Sequence, residues 1–242
     1  MFVHQLIHQK AKEKAEGLEV VDVRIGLGYT LVQLSDNSAG LSYSFTKELS
    51  PKDCTVMKEA GNITGKKAEE ILDKILSYNL TDSSLALACA NAIINKGIEQ
   101  NGVDIVDLIH PDDKVVMVGY FAPLIEPIRS KTDRFVVCER NPKGSSLPDY
   151  AEYFELYDCD VAILTATSII NKTIDSLLDM VKRARIVAVM GPSTPMDRSI
   201  FKNRITHACG SIVKDIELAK RIISEGGGTK RLKPAIEKRC VY

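Results

Sequence analysis

The sequence predicts an α/β protein in which a small α+β domain (1–104) precedes a Rossmann-like domain built on a parallel sheet (105–242). Two contrasting rhythms and one compositional fact lead to this. From Asp112 onward, KVVMVG, RFVVCE, VAILTA and RIVAVMG are nearly continuous apolar runs separated by helix-forming segments, as parallel strands covered on both faces require. Before residue 100, β-branched and aromatic runs come first and helical segments second, with no alternation. The chain of 242 residues, 45% hydrophobic and 26% charged, is long enough for two cores and has the composition of a globular protein, not of a disordered or collagenous one.

Residues 1–16 suit an amphipathic helix, with Phe2, Leu6 and Ile7 on one side. VVDVRIG, YTLVQLS and GLSYSFT, broken by GLG and DNSAG, read as a small antiparallel meander. In KKAEEILDKILSY, the residues Ala68, Ile71, Leu72, Ile75 and Leu76 recur at helical spacing. TDSSLALACANAIINKG is apolar almost all round and is expected to be a buried helix, with Thr81 or Asp82 placed to cap it and Gly97 to end it. NGVDIVDLIHPDD connects the domains. In the second, FAPLIEPIRS, DYAEYFELY and NKTIDSLLDMVKRA supply crossovers, ITHACGSIV a fifth strand, and KDIELAKRIISE a closing helix. The glycine-rich stretch Gly226 to Arg231 is expected to be a solvated flexible tail more than a basic flap over an anionic ligand.

Lys+Arg 32 and Asp+Glu 32 cancel, which removes the basic bias that a general nucleic-acid binder needs to displace counterions. No nucleic-acid partner is expected. No run of apolar residues is long enough to span a membrane, and MFVHQLIHQKAKEK is charged where a signal peptide would be apolar. The expectation is a cytoplasmic protein with no membrane partner. Cys54, Cys89, Cys138, Cys159, Cys209 and Cys240 are scattered singly without a C-x-x-C, so no zinc signature appears and reduced core residues are expected. His4 and His8, at i, i+4 spacing, offer only a two-point metal clamp, and an exposed helix face accounts for them better.

Ligands of an open parallel sheet gather beyond the carboxyl ends of its strands. The first such strand ends in Gly119-Tyr120-Phe121-Ala122-Pro123, a single glycine where a dinucleotide fold would show G-x-G-x-x-G. The second ends at Glu139, followed by Arg140, Asn141 and Pro142. Glu139 stands where an acid grips a ribose hydroxyl, with a surface or capping role equally open. The third ends in Thr165-Ala166-Thr167-Ser168 with Asn171 close by, a cluster able to hydrogen-bond an oxygen-rich ligand; turn residues with Thr173 as a cap are the plainer alternative. The fourth ends in Gly191-Pro192-Ser193-Thr194-Pro195, where two prolines hold the hydroxyls of Ser193 and Thr194 in fixed directions. Asn91 and Asn95 share one face of the buried helix and either reach a cleft between the domains or bond to nearby backbone. Ser42, Tyr43, Lys47 and Glu48 cluster at a strand end without the spacing of a known catalytic set.

The phrases GYFAPLI, ERNP, TATSIINKTIDSLL and GPSTPM, in that order, resemble the heavy-metal-chelation domain family, long filed as a domain of unknown function. The GLSYSF-containing half is similar to its usual N-terminal companion, whose fold is like the N-terminal domain of enolase. The resemblance covers nearly the whole chain and implies a Rossmann-like domain facing an enolase-N-terminal-like domain, with a role in handling a metal ion or metal chelate. It implies no reaction, and enolase chemistry does not transfer, because fold does not carry function. The strand-end residues are hard oxygen donors or neutral groups, which suit a metal already chelated better than thiolate capture.

Three functions therefore compete. The first is binding of a small anionic or oxygen-rich ligand, such as a metal chelate, in a cleft between the domains, lined by Gly119, Phe121, Glu139, Asn141, Thr165, Thr167, Ser168, Asn171, Gly191, Ser193, Thr194 and Asn91. The second is an enzyme using NAD or adenosylmethionine, which the missing glycines disfavour. The third is a non-catalytic oligomeric scaffold, which the polar strand ends disfavour. No nucleophile–base–orienter set can be named, and a homodimer is the default assembly of a soluble chain.

Overall fold

The computed structural model describes residues 1–48, 57–100 and 103–242. Cys54 and the Lys47 side chain lie outside the described residues. The first half begins with α1 (Val3–Lys12), whose i, i+4 residues Val3, Ile7 and Ala11 are buried while Phe2 is exposed. The meander forms as β1 (Val20–Ile25), β2 (Tyr29–Leu34) and β3 (Ala39–Tyr43), an antiparallel sheet in that order. α2 (Ala68–Asp73) is shorter than the spacing predicts and runs into a 3-10 turn at Lys74–Leu76, which leaves Leu76 exposed beside the buried Ile75. α3 (Leu80–Ile94) is buried as expected, but its cap is Asn79, whose side chain accepts from the Thr81 and Asp82 amides at 2.9 and 3.1 Å. At Gly40 a Cβ would lie 2.2 Å from the Ala88 carbonyl oxygen, so only glycine lets β3 lie this close to α3.

The second half comprises β4 (Val115–Val118), α4 (Ala122–Arg129), β5 (Phe135–Glu139), β6 (Leu147–Pro148), α5 (Glu152–Glu155), β7 (Val161–Thr165), α6 (Thr167–Ile170), α7 (Ile174–Met180), β8 (Ile186–Met190), β9 (His207–Val213), α8 (Ile216–Ser224), α9 (Thr229–Leu232) and β10 (Ile236–Val241). Its strands form one sheet in the order β10-β9-β8-β7-β4-β5-β6, parallel at every step except β9/β10. Gly226 to Arg231 is not a solvated tail. It leads through α9 into β10, and Thr229 Oγ1 is 2.6 Å from the Tyr29 hydroxyl. β10 escapes a reading by hydrophobicity because IEKRCV carries three successive charges, the composition of an edge strand.

The expectation of six reduced cysteines also needs correction. Cys209 and Cys240 face each other across β9/β10 and form a disulfide, a pairing that their separation of 31 residues conceals. Cys89, Cys138 and Cys159 are free and buried, and burial pushes each thiol up to about 12.

The two halves share a core. One cluster of buried side chains runs from Val3, Ile7 and Leu34 through Leu72 and Leu85 to Val116, Leu164, Val189 and Phe201. On the other side of the meander, Ala219 and Ile223 of α8 pack on Tyr29, Leu31 and Leu41, so a helix from the second half covers the first. Each fully buried aliphatic side chain contributes about 1.5–3 kcal/mol, enough for this junction to act as a core and not as a hinge.

Candidate functional site

The sheet order reverses between β4 and β7: the chain proceeds from β4 toward β5 and β6 on one side, and from β7 toward β8 and β9 on the other. Crossover helices diverge at such a point and leave a crevice outside the strand ends. Gly119, at the end of β4, has φ +91°, and a Cβ there would lie 2.8 Å from Thr165 Cβ. Glycine thus brings the backbone against Thr165 at the reversal point itself. Thr165 Oγ1 and Thr167 Oγ1 are 3.0 Å apart and both residues are half-buried. Phe121 precedes α4, whose first turn has no side-chain cap, and its ring edge approaches Gly191, where an added Cβ would lie 3.9 Å from it. Gly119, Phe121, Thr165, Thr167 and Gly191 therefore meet at one partly open edge.

Glu139 bounds this edge on the β5 side. Its carboxylate accepts from the Tyr120 and Arg140 amides, each at 3.0 Å, so it shapes the loop after β4 while keeping lone pairs on both oxygens. The Arg140 guanidinium is held by Glu48 at 2.8 and 3.0 Å, and Asn141 is exposed. Burial, then the charges of Glu48 and Glu139, push the Tyr43 phenol up. Burial, then Asp149 and Glu139, push Glu152 up to about 7. Next to this corner, a cavity of about 360 Å³ between α4 and the β5–β6 loop is lined by Tyr120, Ile125, Arg129, Val137, Lys143 and Ser145. Acidic groups and cations thus flank a neutral, hydroxyl-bearing centre.

The other residues expected at a site are engaged elsewhere. Ser168 Oγ donates to its own turn at Thr165 O (2.6 Å). Asn171 Oδ1 accepts from the Thr173 amide and hydroxyl at 3.2 and 2.8 Å, so the Thr173 side chain does not cap α7. Ser193 Oγ accepts from the Tyr43 amide (2.8 Å), Asn95 donates to Thr194 O (2.9 Å) and accepts from the Met196 amide (2.7 Å), and Asn91 donates to Leu41 O (2.8 Å). Ser193, Thr194, Asn91 and Asn95 are at most 3% exposed. The expectation of a cleft with Ser193, Thr194 and Asn91 on facing walls is therefore corrected: these groups join the halves because the loop after β8 lies under β3 and α3. Two oxygens of this junction, Asn91 Oδ1 and Thr194 Oγ1, are buried without a partner among the described residues.

With this geometry in view, the chain can be placed among known proteins. Residues 101–242 match the DUF364 family model and residues 8–94 the DUF4213 model, both described as "Putative heavy-metal chelation". The chain belongs to the DUF364 family. An uncharacterized protein of Methanocaldococcus jannaschii is 26% identical over 93% of this chain and 91% of its own length. A DUF364 protein of unknown function from Pyrococcus horikoshii is 26% identical, covers 99% of both chains and superposes with a TM-score of 0.87. One from Desulfitobacterium hafniense, at 23% identity over 98% and 97% of the two chains, has a TM-score of 0.84 and shares the fold.

In this DUF364 chain, no three His, Cys, Asp or Glu side chains among the described residues converge as metal ligands. His8 Nε2 is 2.7 Å from Asp73 and His4 stacks on Phe2, so the two histidines form no clamp. Sequence reasoning passed over Lys172, whose ammonium donates to Ile75 O and Ser83 Oγ, both at 2.6 Å, and is pushed down to about 8 by burial. It also passed over Glu152, in a segment read only as a crossover. Burial created both signals: Lys172 lies within the TATSIINKTIDSLL string but is not read as part of its polar cluster, and Glu152 lies in none of the strings that carry the family resemblance.

Proposed function

We propose that this DUF364 protein binds a small oxygen-rich ligand, of which a metal chelate is the class that fits best, over the carboxyl ends of β4, β5 and β7. The observation that carries this is the reversal point itself, where Gly119 packs directly against Thr165 and the half-buried Thr165 and Thr167 hydroxyls and the Phe121 ring stand together at the strand ends. The charges around it argue for a chelate over a plain anion. Hydroxyls and the nearby cation Lys143 suit carboxylate or hydroxyl oxygens of a chelator, while Glu139, Glu152 and Tyr43 suit its metal. Carboxylate and phenol oxygens are hard donors, matched to a hard metal such as iron(III). Glu152, near 7, adds an acid–base group at the same corner.

Isothermal titration with iron(III) citrate, against citrate alone and iron-free buffer, tests this. Saturable binding that Thr167→Ala weakens at least tenfold supports the reading; equal heats for wild type and variant reject it. A nucleotide cofactor is the second reading, favoured by the strand order and by an acid ending the second strand. NAD and adenosylmethionine belong in the same titration. The proposal places the protein in the cytoplasm as a homodimer. Exposed Tyr150, Tyr153, Phe154 and Tyr157 offer the apolar surface for a second copy, and light scattering of a Phe154→Ser variant tests it.

A further inference from the structure

Cys209 and Cys240 are directly opposed on β9 and β10, with Cα atoms 3.9 Å apart. Cys209 is half-buried and Cys240 is 2% exposed. On the other side of β9, Met190 of β8 is the register partner of Cys209, which places its thioether on the same face of the sheet. His207, two residues before Cys209 and so also on that face, stacks on Tyr242. Sulfur-bearing side chains from three adjacent strands thus share one face of the sheet at a place where no motif marks them, and they differ in kind from the oxygen donors of the reversal point.

We propose that the Cys209–Cys240 pair, once reduced, is a second and soft metal site, taking a thiophilic d¹⁰ cation between its two thiolates with Met190 Sδ beside them. The site is independent of the ligand reading above. A dithiol reductant opens it: its two thiols become a disulfide, and the two electrons and two protons released convert the protein disulfide into two thiols. A divalent cation then displaces both thiol protons and forms two metal–sulfur bonds. Rotation of the two side chains parts the sulfurs to the span of two bonds of about 2.3 Å each, the length found for zinc. Thiolate and thioether donors select soft cations. While the two sulfurs are bonded to each other neither is a thiolate donor, so the disulfide closes the site and reduction opens it.

Cadmium(II) is the probe, with a Cys54→Ser background so that the thiols in play are known. Cys89, Cys138 and Cys159, buried and pushed up to about 12, stay protonated. Protein reduced with dithiothreitol and desalted without air is titrated while the ultraviolet thiolate-to-cadmium charge-transfer band is recorded, and circular dichroism reports the fold. The expected result is a band saturating at one cadmium per chain in the reduced protein, absent from the oxidised protein and from Cys209→Ser, with Met190→Leu several-fold weaker. Three results overturn the proposal: no band above that of a Cys209→Ser/Cys240→Ser double variant, equal binding by the oxidised protein, or a disulfide that opens only when the fold is lost. Because oxidised and reduced forms share one sequence, the central comparison does not depend on any variant folding.

Discussion

The loop after β8 and the ends of β4 and β7 are alike in sequence, small polar residues beside a glycine at the close of an apolar run, yet they do opposite things. Beyond Gly191, Ser193 to Pro195 runs beneath the first half, and Ser193 and Thr194 serve Tyr43 and Asn95. Gly119, Thr165 and Thr167 stay half-buried at the open edge, where the strand order reverses. The difference lies in what covers each strand end. A strand-end hydroxyl is a ligand group only where the opposing layer leaves it free, and that is a tertiary fact.

The largest effect should come at the covered end. Gly40→Ala places a Cβ 2.2 Å from the α3 backbone, where neither side can yield, and is expected to cost about 3 kcal/mol or more, read as loss of soluble folded protein. Next, Ser193→Ala leaves the half-buried Tyr43 amide without its acceptor and should lower stability by roughly 1–3 kcal/mol in urea unfolding. Thr194→Val acts in the opposite direction. Its hydroxyl oxygen has no partner among the described residues, so removing it should leave stability unchanged or raise it by about 1 kcal/mol. A large loss on Thr194→Val would show that this oxygen is occupied and would blur the contrast between the two loops.

A pH-dependent effect belongs to the open corner. Glu152 is raised from 4.5 to about 7, so the folded protein holds a proton that the unfolded chain releases, and stability falls as pH rises through that window. Glu152→Gln should match wild type below the window and exceed it above, by about 1–2 kcal/mol once solvent screening of a partly exposed carboxyl is allowed for. Melting curves across the range check this, and an identical pH slope for both proteins would refute it. Glu139→Gln, by removing one of the charges that raise Glu152, should shift the same slope toward lower pH.

Most of the architecture was legible because each parallel strand is apolar on both faces and each surface helix on one. β10 and α9 were not, since an edge strand needs little apolar surface and IEKRCV shows little. At the site, Gly119, Glu139, Thr165 and Thr167 could be picked out because parallel strands must deliver their ends to one edge. Ser193 and Thr194 were picked out by the same rule, and Asn91 by its place on an apolar helix, and all three stand in the junction, because sequence does not show which strand end the first half covers. The disulfide was invisible for a related reason: Cys240 lies on the strand that hydrophobicity does not reveal.

The shift in melting temperature produced by iron(III) citrate, measured on wild type, Thr167→Ala and Ser193→Ala together, tests the contrast most directly. A ligand at about 100 times its dissociation constant stabilises by roughly 2.7 kcal/mol, a readable shift. The account predicts that Ser193→Ala melts lower than wild type without ligand yet gains the full shift, whereas Thr167→Ala melts like wild type and loses it. A shift retained by Thr167→Ala, a shift lost by Ser193→Ala, or none in wild type would contradict the assignment of the open edge to the ligand and of the covered loop to the fold.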